Sequence, residues 1–413
     1  MPKKNLYPWI LVGLLWVVAL LNYIDRQMLS TMKPAMMIDI AELETAANFG
    51  QLMAVFLWIY ALMSPISGLI ADRLNRKWVI VGSLFVWSGV TLLMGFATTF
   101  NQLYTLRAVM GVSEAFYMPA GLSLIADYHQ GKNRSFAIGL HLTGVYLGQA
   151  LGGFGATIAG NFSWQTTFHV FGMVGVLYSA VLILFLKEKK TYTLAPEIAH
   201  DFFTGFREAY KGLGVLLGSL SFWVILFYFS APSLPGWATK NWLPTLFSTN
   251  LHIKMEMAGP LSTITIALSA LIGILIGGAI SDRWITRTLR GRIYTGAVGL
   301  AMTVPAVLLL GFGNSFATIW CGASLFGLGF GMFDVNCMPI LCQFVSPKYR
   351  ATGYGLMNMA GISSGALITT LLGKSADLGH LSRDIALLSV FVVVALILQL
   401  WLLHPKTANM TEE

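Results

Sequence analysis

Apolar stretches of about 20 residues recur along the chain, each closed by charged or turn-forming residues; that is the helical length needed to cross a bilayer core. They fall near residues 8–31, 47–71, 77–99, 103–127, 134–158 and 166–186. After a polar interval they resume near 220–248, 259–281, 293–312, 316–345, 351–373 and 384–404. The pattern predicts an all-α membrane protein with twelve transmembrane helices in two six-helix bundles, over 1–186 and 220–413, joined by a connection over 187–219. In that connection Phe202, Phe203, Phe206, Tyr210 and Leu213 recur at roughly helical spacing among polar residues, as in an amphipathic helix on a membrane surface. The first stretch contains Asp25 and Arg26 where a cleavage site would need small residues, so it is expected to be retained as a helix.

Composition excludes a soluble protein. Hydrophobic residues make up 56% of the 413 and charged residues 11%, with a mean hydropathy of +0.70; a soluble domain carries about 25% charge. Most of the 26 basic residues fall in connections that would share one face. These are Lys3 and Lys4, Arg73, Arg76 and Lys77, Lys132 and Arg134, Lys187, Lys189 and Lys190, Arg207 and Lys211, Arg283, Arg287, Arg290 and Arg292, Lys348 and Arg350, and Lys406. The opposite loops carry Asp39, Glu42 and Glu44. Both termini and the central connection are therefore expected in the cytoplasm, with the chain in the inner (cytoplasmic) membrane. The net charge of +8 is then a topology signal, with no need of a nucleic-acid partner. Cys321, Cys337 and Cys342 share one apolar stretch without metal-ligand spacing and read as packing residues.

Four charges stand inside apolar stretches of the first half: Asp25 and Arg26 in the first, Arg107 and Glu114 in the fourth. A charge at bilayer depth costs at least about 2.5–3.5 kcal/mol and usually faces a cavity or a partner. Arg107 and Glu114, seven apart, share a helix face about 10 Å apart along the axis. Arginine's planar fork suits a carboxylate and stays charged, so Arg26 and Arg107 are expected to hold an anion while Asp25 and Glu114 carry protons. With both acids ionised the four groups sum to zero; protonating one frees an arginine and leaves the pocket positive. The alternative is two static ion pairs that tie the first and fourth helices together.

Tyr23, Tyr60, His141 and Gln149 could line the cavity, the tyrosines and the glutamine meeting substrate hydroxyls, although packing serves each equally well and His141 is only weakly a proton carrier. In the second half Asp334 and Asn336 stand in an apolar stretch, with Asn336 a candidate substrate contact. Pro232, Pro235 and Gly236 interrupt the seventh stretch ahead of Trp237, Lys240, Asn241 and Trp242, which suits a broken gating helix. Gly144, Gly148, Gly152 and Gly153 would let the fifth helix approach a neighbour closely. Gly361-Ile-Ser-Ser-Gly365 and Gly327-x-Gly329-x-Gly331 lack the strand contexts of a nucleophile elbow or a nucleotide loop. No catalytic residues, metal ligands or cofactor are expected, and the energy source would be the proton gradient.

One loop is repeated. Gly68-x-x-x-Asp72-Arg73 with Arg76 and Lys77 stands between the second and third stretches, and Gly278-x-x-x-Asp282-Arg283 with Arg287 between the eighth and ninth. An acid and bases at helix ends can pair in one state and part in another, which assigns Gly68, Asp72, Arg73, Arg76, Asp282 and Arg283 to a conformational gate. With the twelve stretches, this loop resembles the major facilitator superfamily over the whole chain. The resemblance implies two bundles around a midplane site that opens alternately to each side. Asn22-Tyr23-Ile24-Asp25-Arg26 and Arg107-x-x-x-Gly111-x-x-Glu114-Ala115 resemble the anion:cation symporter family, which includes hexuronate, galactonate and sialate carriers. Spinster-like lipid transporters share much of both motifs. In antiporter branches a proline stands where this chain has Gln149, so its absence favours symport. The resemblance implies a proton-coupled importer of a small organic anion such as a hexuronate or hexonate, the alternatives being a lysolipid carrier, a peptidoglycan-fragment permease or a nutrient sensor; a monomer is expected.

Overall fold

The computed structural model describes residues 6–71, 74–129, 133–188, 213–346 and 349–407. These residues are overwhelmingly helical. The first half comprises α1 (Tyr7–Asp39), α2 (Ala46–Ala71), α3 (Arg76–Met94), α4 (Phe100–Ala115), α5 (Tyr117–Tyr128), α6 (Arg134–Gly152), α7 (Gly155–Asn161) and α8 (Trp164–Phe185). The second comprises α9 (Leu220–Leu251), α10 (Met255–Ile285), α11 (Gly291–Phe312), α12 (Phe316–Phe344), α13 (Arg350–Asp377) and α14 (Leu381–Leu402). α4 and α5 form one span and α6 and α7 another, which makes six spans in each half. Ten spans among the described residues are long and apolar enough to cross a bilayer; α6 with α7, and α9, supply the other two. The amphipathic helix expected near Phe202 to Tyr210 lies outside the described residues.

Local chemistry sets the helix limits. Asn75 caps α3 by accepting from Trp78 N, Ser163 caps α8 by accepting from Thr166 N, and Thr99 with Gln102 and Ser315 with Thr318 form capping boxes ahead of α4 and α12. Pro119 has no N–H to offer the Ala115 carbonyl, which explains why the fourth span breaks just after Glu114. Gly152 and Gly153 break the fifth.

Two expectations need correction. The first helix runs on to Asp39, well past the end of its apolar stretch, because Trp164 Nε1 and Gln165 Nε2 both donate to Asp39 Oδ2 at 2.7 Å and hold its outer turns. The seventh span is a continuous helix despite Pro232, Pro235 and Pro244. Hydroxyls of Ser233 and Thr239 donate back to the carbonyls of Phe229 and Pro235, at 2.7 and 2.9 Å, and help the helix through the proline region.

Glycines let the helices meet. A Cβ at Gly152 would stand 2.6 Å from Gln27 Cβ on α1, and Gly144 and Gly148 likewise lie against Trp16, Leu20 and Tyr23. Gly361 and Gly365 of α13 fit against Phe229 and Trp237 of α9, the helix-contact role that their sequence context favours.

The two halves join at one end. Ala46 N and Ala47 N, at the start of α2, donate to Asp377 Oδ1 and Oδ2 at 2.7 and 2.8 Å. Thr263 donates to the Ala150 carbonyl at 3.0 Å, Thr157 to the Glu256 carbonyl at 2.8 Å, and Gln27 Nε2 to the Lys240 carbonyl at 2.8 Å. A hydrophobic core runs across both halves there, with Phe49 edge-on to Trp242. This is the end with Asp39, Glu42 and Glu44. Towards the basic end the second half has a core of its own, built from residues such as Phe222, Ile225, Leu341 and Met357. The molecule is therefore shut at the acidic end, with a cleft between the halves that opens toward the basic one.

Candidate functional site

The four intramembrane charges converge, but not as two ion pairs. Arg26 Nε on α1 donates to Glu114 Oε2 on α4 at 2.5 Å, with the Glu114 side chain fully buried and that of Arg26 12% exposed. Asp25, next to Arg26 in sequence, points elsewhere: its Oδ2 accepts from Thr91 Oγ1 of α3 at 3.1 Å. Arg107 is buried and makes no ion pair among the described residues. Its Nη1 donates to Met110 Sδ at 3.1 Å, a weak acceptor. One pair joins the helices, while one acid and one arginine remain outside it.

An aromatic wall holds both guanidinium groups. Arg26 Cζ lies 5.0 Å from the centre of the Tyr23 ring, 4.9 Å from Phe56 and 4.7 Å from Tyr60. Arg107 Cζ lies 4.6 Å from the same Phe56 ring. Aromatic faces attract cations, the more so away from water, so Phe56 positions both arginines at once. Several buried polar atoms here have no hydrogen-bond partner among the described residues: Arg26 Nη2, Arg107 Nε, Glu114 Oε1 and both amide atoms of Asn22. Buried polar atoms are ordinarily hydrogen-bonded, which marks this cluster as the candidate site.

The remaining predicted residues separate into cleft and scaffold. Tyr23 and Tyr60 belong to the aromatic wall. Gln149 is buried and lines a tight space with Gln27, Thr239 and Lys240, at the closed end of the cleft. Asn336 is 1% exposed, with Oδ1 accepting from Ser281 Oγ at 2.6 Å and Nδ2 donating to the Met332 carbonyl at 2.8 Å. Its amide is occupied in tying α12 to α10, which takes it away from the cleft. His141 is fully buried beside the Tyr117 ring, 6.1 Å between centres, and does not line the cleft either. Asp334 is exposed.

Of the gate residues, Asp72 and Arg73 lie outside the described residues. Arg76, at the start of α3, pairs with Asp127 near the end of α5. The second copy of the motif differs: Asp282 and Arg283 are exposed at the end of α10 and make no ion pair among the described residues. The cysteines are free.

Phe56 and Thr91 have no place in the sequence pattern that marks the site, and Asn22 enters it only as a member of the first-helix motif. Phe56 is one helical turn from Tyr60, a spacing that marks a shared face. Thr91 carries no such mark, since only the fold brings its hydroxyl to Asp25.

Comparison with known proteins places this architecture. The Major Facilitator Superfamily model matches residues 15–370. Probable anion transporter 6 of Oryza sativa subsp. japonica is 26% identical over 354 residues, covering 82% of this chain and 81% of that protein. The D-galactonate transporter of Escherichia coli O6:H1 is 24% identical over 415 residues, covering 87% and 93%. Among solved structures, a bacterial homolog of the human lysosomal transporter Spinster, inward-facing and unoccupied, superimposes with a TM-score of 0.77 at 21% identity, covering 96% of this chain and 97% of the other.

Proposed function

Because this chain belongs to the Major Facilitator Superfamily, and so is a membrane transporter rather than an enzyme, we propose that it is a proton-coupled symporter that imports a small organic anion, a sugar acid such as a hexonate or hexuronate, by alternating access. The observation that carries this reading is Arg107: a buried guanidinium without a carboxylate partner among the described residues, on the same aromatic ring as an arginine that has one. The names of the relatives support an anion as cargo.

The basic end faces the cytoplasm in this proposal, with both termini inside and the protein working as a monomer in the inner membrane, so the conformation described is open inward. A proton reaching Glu114 neutralises the carboxylate and breaks its pair with Arg26. Arg26 and Arg107 then both face an incoming carboxylate, and two charge-assisted contacts hold it. Tyr23, Tyr60 and Gln149 are the groups nearest to meet its hydroxyls. When the anion leaves on the inner side, Glu114 gives its proton to the cytoplasm and recaptures Arg26, which resets the site. Asp25 takes part differently: its protonation changes the charge of the pocket without breaking an ion pair. The Gly68, Asp72, Arg73, Arg76 and Asp282, Arg283 loops close the inner end when the halves rock.

Uptake into proteoliposomes tests this. Acidifying the outside is expected to accelerate sugar-acid uptake, and Arg26→Lys and Arg107→Lys are each expected to lower it by at least about tenfold, since lysine cannot reproduce a bidentate fork. Uptake indifferent to an imposed pH gradient would sink the proton coupling, and wild-type uptake by both variants would sink the arginine clamp.

A further inference from the structure

The site above leaves one intramembrane acid unused. Asp334 stands within the 29-residue α12, where Phe333, Asn336 and Cys337 are buried while it is exposed. Its direction follows from its neighbours on the helix. Gly327 and Gly331 occupy the face against α10, and Phe333 packs on Tyr228. Phe330, one turn earlier and on the face of Asp334, packs on α9, where a Cβ at Gly236 would stand 2.8 Å from the ring. Gly331, three residues earlier, and Gly327, seven earlier, share that face as well, so Asp334 points between α9 and α10, on the side of the cleft that also carries Trp237 and Lys240. Lys240 does not neutralise it by contact: the ammonium lies over the Trp237 ring at 4.7 Å, and no ion pair joins Lys240 to Asp334. Asp334 interacts electrostatically with Lys240 beside it and, more weakly, with Tyr23 and Tyr146 of the first half.

An ionised carboxylate only accepts hydrogen bonds. Facing a guest whose acid group is held by Arg26 and Arg107 on the opposite wall, it favours hydroxyl donors at the guest's far end and repels a second carboxylate there. We infer that Asp334 is a specificity residue that restricts the cargo to monoanions with a hydroxylated tail and excludes diacids of the same length. This rests on the reading of Arg26 and Arg107 as the anion clamp.

Two probes with one carbon skeleton test it: D-galactonate, with a hydroxymethyl group at its far end, and galactarate, with a carboxylate there. Binding of each to purified protein is measured by calorimetry for the wild type, Asp334→Asn, Asp334→Glu and Arg107→Lys. The wild type and Asp334→Glu are expected to prefer galactonate by at least about tenfold, and Asp334→Asn to bring the two within about threefold, chiefly by gaining galactarate. Equal wild-type affinities, or a preference that survives in Asp334→Asn, overturn the inference while leaving the clamp standing, because the clamp is judged by loss of both ligands in Arg107→Lys. A wild type that binds neither probe overturns both.

Discussion

Phe56 shows how an uncharged residue can govern a charged site. Its ring lies 4.9 Å from the Arg26 guanidinium and 4.6 Å from that of Arg107, and it is 2% exposed. Each such contact is worth about 0.5–2 kcal/mol, toward the upper figure where water is excluded. Phe56→Leu keeps the position apolar but removes the ring, so both arginines lose their shared support. Anion affinity is expected to fall by roughly tenfold, the equivalent of about 1.4 kcal/mol, while Phe56→Tyr stays close to the wild type. Equal affinity in Phe56→Leu, measured by calorimetry on folded protein, would show that the arginines are held by other groups. The sequence marked Asp25, Arg26, Arg107 and Glu114 because charge in an apolar stretch is conspicuous. It did not show which acid meets which arginine: neighbours along α1 point to different helices, Arg26 to Glu114 and Asp25 to Thr91. Asn336 misled for the complementary reason. An amide in a membrane helix can serve the cleft or a neighbouring helix, and Ser281, distant in sequence, decided it.

At the level of helices, hydrophobic periodicity located all twelve spans, because a bilayer imposes length and apolarity on each of them. What it missed depends on contacts between spans. The outer turns of α1 are held by Trp164 and Gln165, and α9 passes its prolines with help from hydroxyl groups. The glycines of α6 were readable as a close-approach surface, although not their partner, which is α1. That contact sets the height and rotation of the helix bearing Asp25 and Arg26. Gly152→Val would drive a branched side chain into Gln27, where even a Cβ has only 2.6 Å. Overpacking of this kind costs about 1–3 kcal/mol, so the apparent melting temperature in detergent is expected to drop clearly. Gly82→Val, at a position with open space around it, is expected to leave it unchanged. Equal melting curves for the two variants would mean that α1 and α6 are not in close contact.

For the whole molecule, the question is what keeps the acidic end shut. Among the described residues, contacts between the halves there are mostly apolar or neutral, and Asp377 supplies a charged one. It sits at the end of α13 in the second half and accepts from the first two backbone N–H groups of α2 in the first half, at 2.7 and 2.8 Å. Those N–H groups have no partner within their own helix, and the N-terminus carries partial positive charge, so a carboxylate suits the position twice over. Opening this end must break the contact, and the transporter can cycle only if the loss is modest. An exposed carboxylate at a helix N-terminus contributes about 0.3–1 kcal/mol, rising to about 2 kcal/mol when partly buried. Asp377→Asn keeps the shape and one acceptor oxygen but removes the charge, so it is expected to shift the population toward the state open at the acidic end by about two- to thirtyfold. Spin labels on α2 and α13 near this end would report that shift as a longer-distance population in pulsed electron resonance. An unchanged distance distribution would assign the closure to the shared core around Phe49 and Trp242 instead.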